Sequence, residues 1–271
     1  MKILLDTGIF SHSEFMEDVI KETSVAWGDT VQVIPVHGLA RKKPDKDLTY
    51  QGQKEALFTV GRFIREGRIE AYDYVEIQFE TMRGKSQFTS CNALRDCKIH
   101  RCHPALERSK FRQTTNIIDT ISKGGKKDRK AGVDIGEANQ IAFFTFLLGL
   151  QTEHVDILIQ HAEQIGLTEF EVESLRDIHW FQLLCQQSKS PENYPDVFHL
   201  WTAERNGLDA VLTLEKRLPN LVSRVRSEKK RAIEIRTEVL RPLNLMQQMG
   251  VEKPDPIPLE IDRFYHLHEV L

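Results

Sequence analysis

Apolar and polar positions divide this chain into short alternating blocks. Residues 2–5 (Lys-Ile-Leu-Leu) form an apolar run that stops at Asp6, the pattern of a buried strand. Ser13 to Ile20 reads as a short helix with acids in its first turn. Thr30 to Val36 alternates and is rich in β-branched residues, which predicts a strand. Between Asp45 and Glu66, Ala56, Leu57, Val60, Phe63 and Ile64 recur at helical spacing, and Gly67 stops the helix. Residues 68–75 predict the next strand, running into a helix over 76–83. Further helices are expected over Glu137–Leu150, Thr152–Ile165 and Thr168–Ser188. Asp196–Asn206 is another, with Pro195 tolerated in its first turn and Gly207 as its cap. Ala210–Thr213 is a four-residue apolar strand, and the stretch AIEIRTEVL holds one more. Pro242 opens a last helix, and the remaining tail is proline-rich and then aromatic.

Strands that alternate with helices predict an α/β fold: a mainly parallel central sheet with helices on both faces. In such sheets ligands sit beyond the carboxyl ends of the strands. Asp6 falls directly after the first strand, and Thr213 and Glu215 directly after a later one. The 271 residues suit one enlarged domain. We expect that domain over residues 1–245, with an insertion at about 84–133 and extra helices at about 137–190, and a C-terminal tail, 246–271, packing on it. No run of 18 apolar residues occurs, the N-terminal apolar stretch is broken at Asp6, and four cysteines make no disulfide scaffold. The expected setting is therefore the cytoplasm, with no membrane partner.

Charge changes this picture. The net charge of −3 hides an asymmetry. Between Thr81 and Ala131, thirteen Lys and Arg residues face four acids, so that segment carries +9 and the rest of the chain −12. A basic segment of this kind marks either a polyanion-binding surface or a solvated, lysine-rich excursion. Its last part, SKGGKKDRKAG, reads as a mobile loop.

The acids carry the candidate chemistry. Asp6 and Glu215 follow strands, and Asp196 stands at a helix start. Carboxylates gathered at strand ends repel one another unless cations neutralise them. Mg2+ takes one or two carboxylates and fills its shell with water and phosphate oxygens. Such an ion lowers the pKa of a bound water and stabilises a phosphodiester transition state. Each acid also has a plain structural role open to it: Asp196 beside a helix N-terminus, Glu215 in a turn, Asp6 accepting N–H bonds from Gly8 or Ile9.

The stretch DVFHLWTAERNGLDAVLTLEKRL (196–218) resembles the C-terminal signature of PIN-domain ribonucleases. In that family an aspartate opens a helix of the form D-x-x-H-x-x-x-A, followed by a glycine, a strand and T-x-D. Asp196, His199, Ala203, Gly207, Thr213 and Glu215 fill those places. The opening ILLDTGIF resembles the family's first strand and first metal aspartate, at Asp6. The resemblance covers the first ten or so residues and roughly 190–245; the stretch between is longer than in a minimal PIN domain and matches weakly. Two departures stand out. Glu215 replaces the usual Asp. The second family acid is Glu80, with Glu76 one turn before it, or Glu137 in DIGEANQIA.

The resemblance implies a divalent-metal-dependent endoribonuclease. Asp6, Glu80 or Glu137, and Asp196 would bind Mg2+ or Mn2+. Glu215 would complete the anionic pocket, and Thr213 would orient a carboxylate or a water. A metal-bound water would attack in line and leave a 5′-phosphate and a 3′-hydroxyl, with no nucleophilic side chain. For such a nuclease the basic segment is the natural RNA contact, through Arg108, Lys110 and Arg112 around Phe111, and through Lys126, Lys127, Arg129 and Lys130. A homodimer surface is the other role open to it. Cys91, Cys97, Cys102 and His103 offer zinc-ligand chemistry, but their spacing matches no common finger or ribbon, so ordinary thiols are expected. His199 is expected to orient or pack its helix, and His266 and His268 to be structural.

Other classes fit less well. A haloacid-type hydrolase needs Asp-x-Asp after the first strand, where this chain has Asp6-Thr7-Gly8. Gly84-Lys85-Ser86 ends like a P-loop, but Phe79 stands in place of its first glycine, and no G-x-G-x-x-G occurs. Two alternatives remain: a PIN-like module that binds nucleic acid or protein without cutting, and the toxin of a toxin–antitoxin pair with a protein antitoxin as partner.

Overall fold

The computed structural model describes residues 1–83, 92–111, 135–188, 190–227 and 233–270, without the side chains of residues 82, 83, 135–139, 141 and 270. The protein divides into two compact units. Unit 1 comprises Met1–Cys102, Leu208–Lys216 and Thr237–Leu271; unit 2 comprises His103–Gly207 and Arg217–Arg236.

Unit 1 is built on a five-stranded, all-parallel sheet. Its strands are β1 (Lys2–Leu5), β4 (Glu70–Asp73), β5 (Ile99–Arg101), β6 (Ala210–Leu212) and β7 (Glu238–Leu240), in spatial order β5-β4-β1-β6-β7. β1 lies at the centre, in register with β4 (Ile3 opposite Ala71) and with β6 (Leu4 opposite Val211). Ile3, Leu4, Leu5, Ala71, Ala210, Val211 and Leu212 are all fully buried, the continuous apolar composition expected of parallel strands covered on both faces. The α/β class expected from the sequence is thus present.

Helix α1 (Thr7–His12) leaves β1 at once, and helix α2 (Leu48–Arg65) buries the predicted stripe of Ala56, Leu57, Val60, Phe63 and Ile64. Asp47 caps α2 by accepting from the Thr49 and Tyr50 N–H groups. At Gly61 a Cβ would come within 1.9 Å of the Ala93 carbonyl oxygen, so only glycine lets the chain at Asn92–Leu94 close against the helix. Helix α3 (Val75–Arg83) follows β4.

One expectation fails. Ser13–Ile20 is not a helix: Met16–Trp27 is strand β2, paired antiparallel with β3 (Thr30–Arg41) along its whole length. Gly28 and Asp29 form the two-residue connection, with Gly28 at φ +61°, the backbone a II′ hairpin turn asks of its first central residue. Cross-strand pairing therefore overrides the weak helical pattern. The predicted strand at Thr30–Val36 exists but belongs to this second, antiparallel sheet, which the tail completes as β8 (Phe264–His266) against Gly38–Ala40.

Unit 2 is helical: α4 (Ile135–Gly149), α5 (Thr152–Gln160), α6 (Ala162–Ile165), α7 (Glu169–Arg176), α8 (Ile178–Ser188), α9 (Tyr194–Arg205) and α10 (Arg217–Ser227). Its core is aromatic. Phe144, Phe181, Phe198 and Trp201 pack ring on ring, with Phe181 stacked on Trp201 at 5.2 Å. Thr168 and Glu171 form a capping box at the start of α7. Helices α11 (Pro242–Gln248) and α12 (Leu267–Val270) return to unit 1, where Leu243 N–H donates to Gln53 of α2 at 3.0 Å. Among the described residues no single helix is long and apolar enough to cross a membrane.

Glu171 also accepts from the Lys110 ammonium at 2.5 Å and from the Glu107 N–H at 3.0 Å. Burial alone would raise its pKa; the Lys110 ammonium and the Thr168 and Glu107 donors overcome this and hold it below the ordinary 4.5. Replacing Lys110 with Met strands a buried carboxylate, so we expect a loss of about 3 kcal/mol in denaturant unfolding. Adding Glu171→Gln should restore much of it. Because the folded pKa is depressed, the contribution is present above about pH 4.5 and fades as Glu171 is protonated below it, so wild type and Lys110→Met should converge in stability at low pH.

Candidate active site at the carboxyl ends of the strands

The sheet order fixes where a ligand can sit. From β1 the chain adds β4 and then β5 on one side; it later adds β6 and then β7 on the other. The strand order therefore reverses between β1 and β6, and all five strands are parallel, so their carboxyl ends share one edge. A crevice opens at such a switch point because the connections leave in opposite directions. Asp6 ends β1 and Thr213 ends β6, so the two residues flank this point.

Both are held by backbone and side-chain bonds. The Asp6 N–H donates to Leu212 O at 3.0 Å and the Thr213 N–H to Leu240 O at 3.0 Å, extending the ladder one residue past the strands. The Thr213 hydroxyl donates to Asp6 Oδ2 at 2.7 Å and accepts from the Glu215 N–H at 3.1 Å. Asp6 and Thr213 are buried, at 7% and 2% exposure. Asp6 precedes α1 without capping it through its side chain. Next to it, the Thr7 hydroxyl donates to Glu80 Oε2 at 2.5 Å, which ties α1 to α3. Glu80 is thereby linked to the Asp6 segment. Sequence reasoning missed Thr7; its signal was the hydroxyl placed directly after the strand-end aspartate.

Glu215 is exposed rather than enclosed. Its charge reaches the His12–Tyr50 pair, in which the Tyr50 hydroxyl lies 3.2 Å from His12 Nε2 and the rings meet edge to face. Burial, Lys54 and Lys42 push the His12 imidazole below its ordinary 6.5, against the opposing charges of Asp45 and Glu215. Burial and then the Glu215 and Asp45 carboxylates push the Tyr50 phenol above 10. His12 is thus held neutral near pH 7. Linear spacing does not signal this pair, because the two residues come from different helices.

The remaining predicted residues are placed as follows. Asp196 lies in unit 2, in the first turn of α9 after Pro195, and lines a cavity there. His199 is buried in the same helix. Glu137 lies in α4, but its side chain is outside the described residues, as are Arg112, Lys126, Lys127, Arg129, Lys130 and Cys91. Lys110 is committed to Glu171, which removes it from the cations open to a nucleic acid. Cys97 donates weakly to Gly61 O, and burial, with Asp73 nearby, pushes the Cys102 thiol up to about 12, where it is inert at neutral pH. His266 and His268 stack on each other at 5.6 Å in the tail.

Asp6 and Glu80 both meet the segment that leaves β1, Asp6 as the residue before α1 and Glu80 through the Thr7 hydroxyl. Among the described residues no group of three or more His, Cys, Asp or Glu side chains is gathered for a metal.

The Thr213 hydroxyl is the testable support of this edge. Thr213→Val leaves a buried carboxylate oxygen without its donor and should cost about 1–3 kcal/mol in denaturant unfolding. Thr213→Ser, which retains the hydroxyl, should stay much nearer wild type. Comparison of the chain with protein-family models, with curated proteins and with solved structures gives no match.

Proposed function

We infer that this chain is a divalent-metal-dependent ribonuclease of the PIN class, hydrolysing RNA phosphodiester bonds. The observation that carries the reading is the buried Asp6 carboxylate at the switch point, steadied by Thr213 on the adjacent strand. Position, residue type and support suit a hard cation, and they coincide with the motif at Asp6 and Thr213 that resembles that family.

A bound Mg2+ or Mn2+ would supply an activated water and charge stabilisation at the phosphate. The protein's own contribution is orientation. Thr213 fixes one Asp6 oxygen by donating to it. Thr7 likewise donates to one Glu80 oxygen. Such support keeps ligating carboxylates in place before the ion arrives. Asp196, in unit 2, takes its metal role from the resemblance alone, and so does Glu215, where the longer side chain replaces the family's aspartate. RNA is the partner this chemistry implies. Glu215 in place of the family's aspartate supports a second reading, a module of the same fold that binds nucleic acid or protein without cutting.

Cleavage of single-stranded RNA separates the two. We expect cleavage that needs Mn2+ or Mg2+, leaves 5′-phosphate ends, and falls at least about 100-fold in Asp6→Asn and in Asp196→Asn, as expected for loss of a ligand that positions the reacting groups. Glu80→Gln should fall less far. Metal-independent cleavage, or cleavage untouched by both aspartate changes, contradicts the reading. RNA binding with no cleavage under any metal establishes the binding module instead.

A further inference from the structure

The β2–β3 hairpin of unit 1 combines an open strand edge with exposed apolar side chains. Every residue from Ile20 to Pro35 is exposed, on both faces of the ribbon, with Ile20 at 64%, Trp27 at 79% and Val31 at 70%. A two-stranded ribbon with no covered face is marginal in water by itself. In the order β2-β3-β8, β2 is an edge strand.

Pro35 sets the phase of the ladder. It pairs with Glu22. Having no N–H to give, it sits where backbone groups point away from the partner strand. The alternation of an antiparallel ladder then aims the N–H and C=O groups of Ile20, Glu22, Ser24 and Ala26 outward from β2, where no strand lies among the described residues. The two edges of the ribbon differ. β8 covers β3 at Gly38–Ala40, and farther out Pro35 withholds a donor, which blunts that edge. β2 has no proline between Met16 and Trp27, so its edge is open to pairing.

The β2 sequence selects a register for pairing with itself. About a two-fold axis, antiparallel copies oppose residues on either side of the central one. Centring on Ile20 sets Asp18 against Glu22, centring on Lys21 or Glu22 sets that residue against itself, and centring on Thr23 sets Glu17 against Asp29. Each opposes like charges, which is destabilising. Centring on Ser24 opposes none, and registers beyond it shorten the ladder. It sets Lys21 against Trp27, Thr23 against Val25 and Glu22 against Ala26 of the other copy. Lys21 already leans on the Phe264 ring at 5.8 Å, the outer limit of a cation–π contact, and an indole is the better face. The acids Glu17, Asp18, Glu22 and Asp29 outnumber Lys21 on this hairpin, which disfavours a nucleic acid as the occupant.

We propose that the open edge of β2 pairs antiparallel with β2 of a second copy of this chain, about a two-fold axis at Ser24, to make one four-stranded ribbon. Glu22, Ser24 and Ala26 of both copies supply the new ladder. Val25, Trp27 and Ile34 of the two copies then share one face, and Ile20, Val31 and Val33 share the other. A contact one strand long belongs at the low end of interface sizes, below roughly 1,200 Å2, so the dimer is a weak one. The proposal is independent of the ribonuclease reading.

Sedimentation velocity of the full chain over a concentration series tests it. Wild type should pass from monomer to dimer with a dissociation constant on the order of 10 µM. Ser24→Pro removes the N–H at the axis; that group points outward, so the hairpin keeps its own ladder while the dimer should weaken at least about tenfold. Trp27→Lys sets two ammonium groups against each other at both ends and should weaken it likewise. Adding Lys21→Glu turns both repulsions into attractions and should restore association, because the Ser24-centred register alone sets these two positions opposite each other. Far-UV circular dichroism checks that the variants fold. The proposal is overturned if wild type stays monomeric, which leaves the edge to a strand of another protein. It is equally overturned if Ser24→Pro dimerises as wild type does, or if the double variant stays as weak as Trp27→Lys.

Discussion

The 2.7 Å hydrogen bond from the Thr213 hydroxyl to Asp6 Oδ2 joins the carboxyl ends of two adjacent parallel strands. It exists because β1 and β6 are hydrogen-bonded neighbours in matched register, and each backbone continues one residue further, Asp6 N–H to Leu212 O and Thr213 N–H to Leu240 O. That register depends in turn on fully buried apolar residues on both strands, which cannot slip by one position without turning their side chains over. A carboxylate at 7% exposure is costly to keep charged unless something answers it. The Thr213 hydroxyl answers one oxygen. The arrangement thus places a buried carboxylate at the point where the strand order reverses, which is where the proposed cation would bind.

The second tether has the same form. Thr7 to Glu80 links the helix leaving β1 with the helix leaving β4, so two carboxylates at one sheet edge are each steadied by a threonine from a neighbouring element. On the ribonuclease reading, pre-orientation of this kind would leave little order to be imposed when an ion binds. His12, kept neutral by burial and nearby lysines, and Tyr50 extend the edge toward Glu215.

Much of this was legible in the sequence. The apolar run ending at Asp6 and the AVLT block before Glu215 located β1, β6 and their terminal residues, because buried parallel strands are continuous apolar runs with sharp polar ends. The stripe of α2 was equally plain. The β2–β3 hairpin was not. Its second strand was read at Thr30–Val36, but Ile20, Trp27, Val31 and Val33 are exposed, so no buried face imposed a two-residue period on the first strand. Only Gly28-Asp29 at the turn gave it away. The threonine tethers and the His12–Tyr50 pair depend on which helices become neighbours, and one-dimensional spacing does not encode that. The sequence also overstated the basic segment: Lys110 proved to be the internal counterion of Glu171 rather than a surface cation.

Crystals of the protein grown with Mn2+ test the central claim most directly. An anomalous difference map should show a peak within bonding distance of an Asp6 carboxylate oxygen, with Glu80 bound directly or through a water, and Thr213 still donating to Asp6 Oδ2. A fully occupied Mn2+ position elsewhere with none at Asp6 would contradict the account.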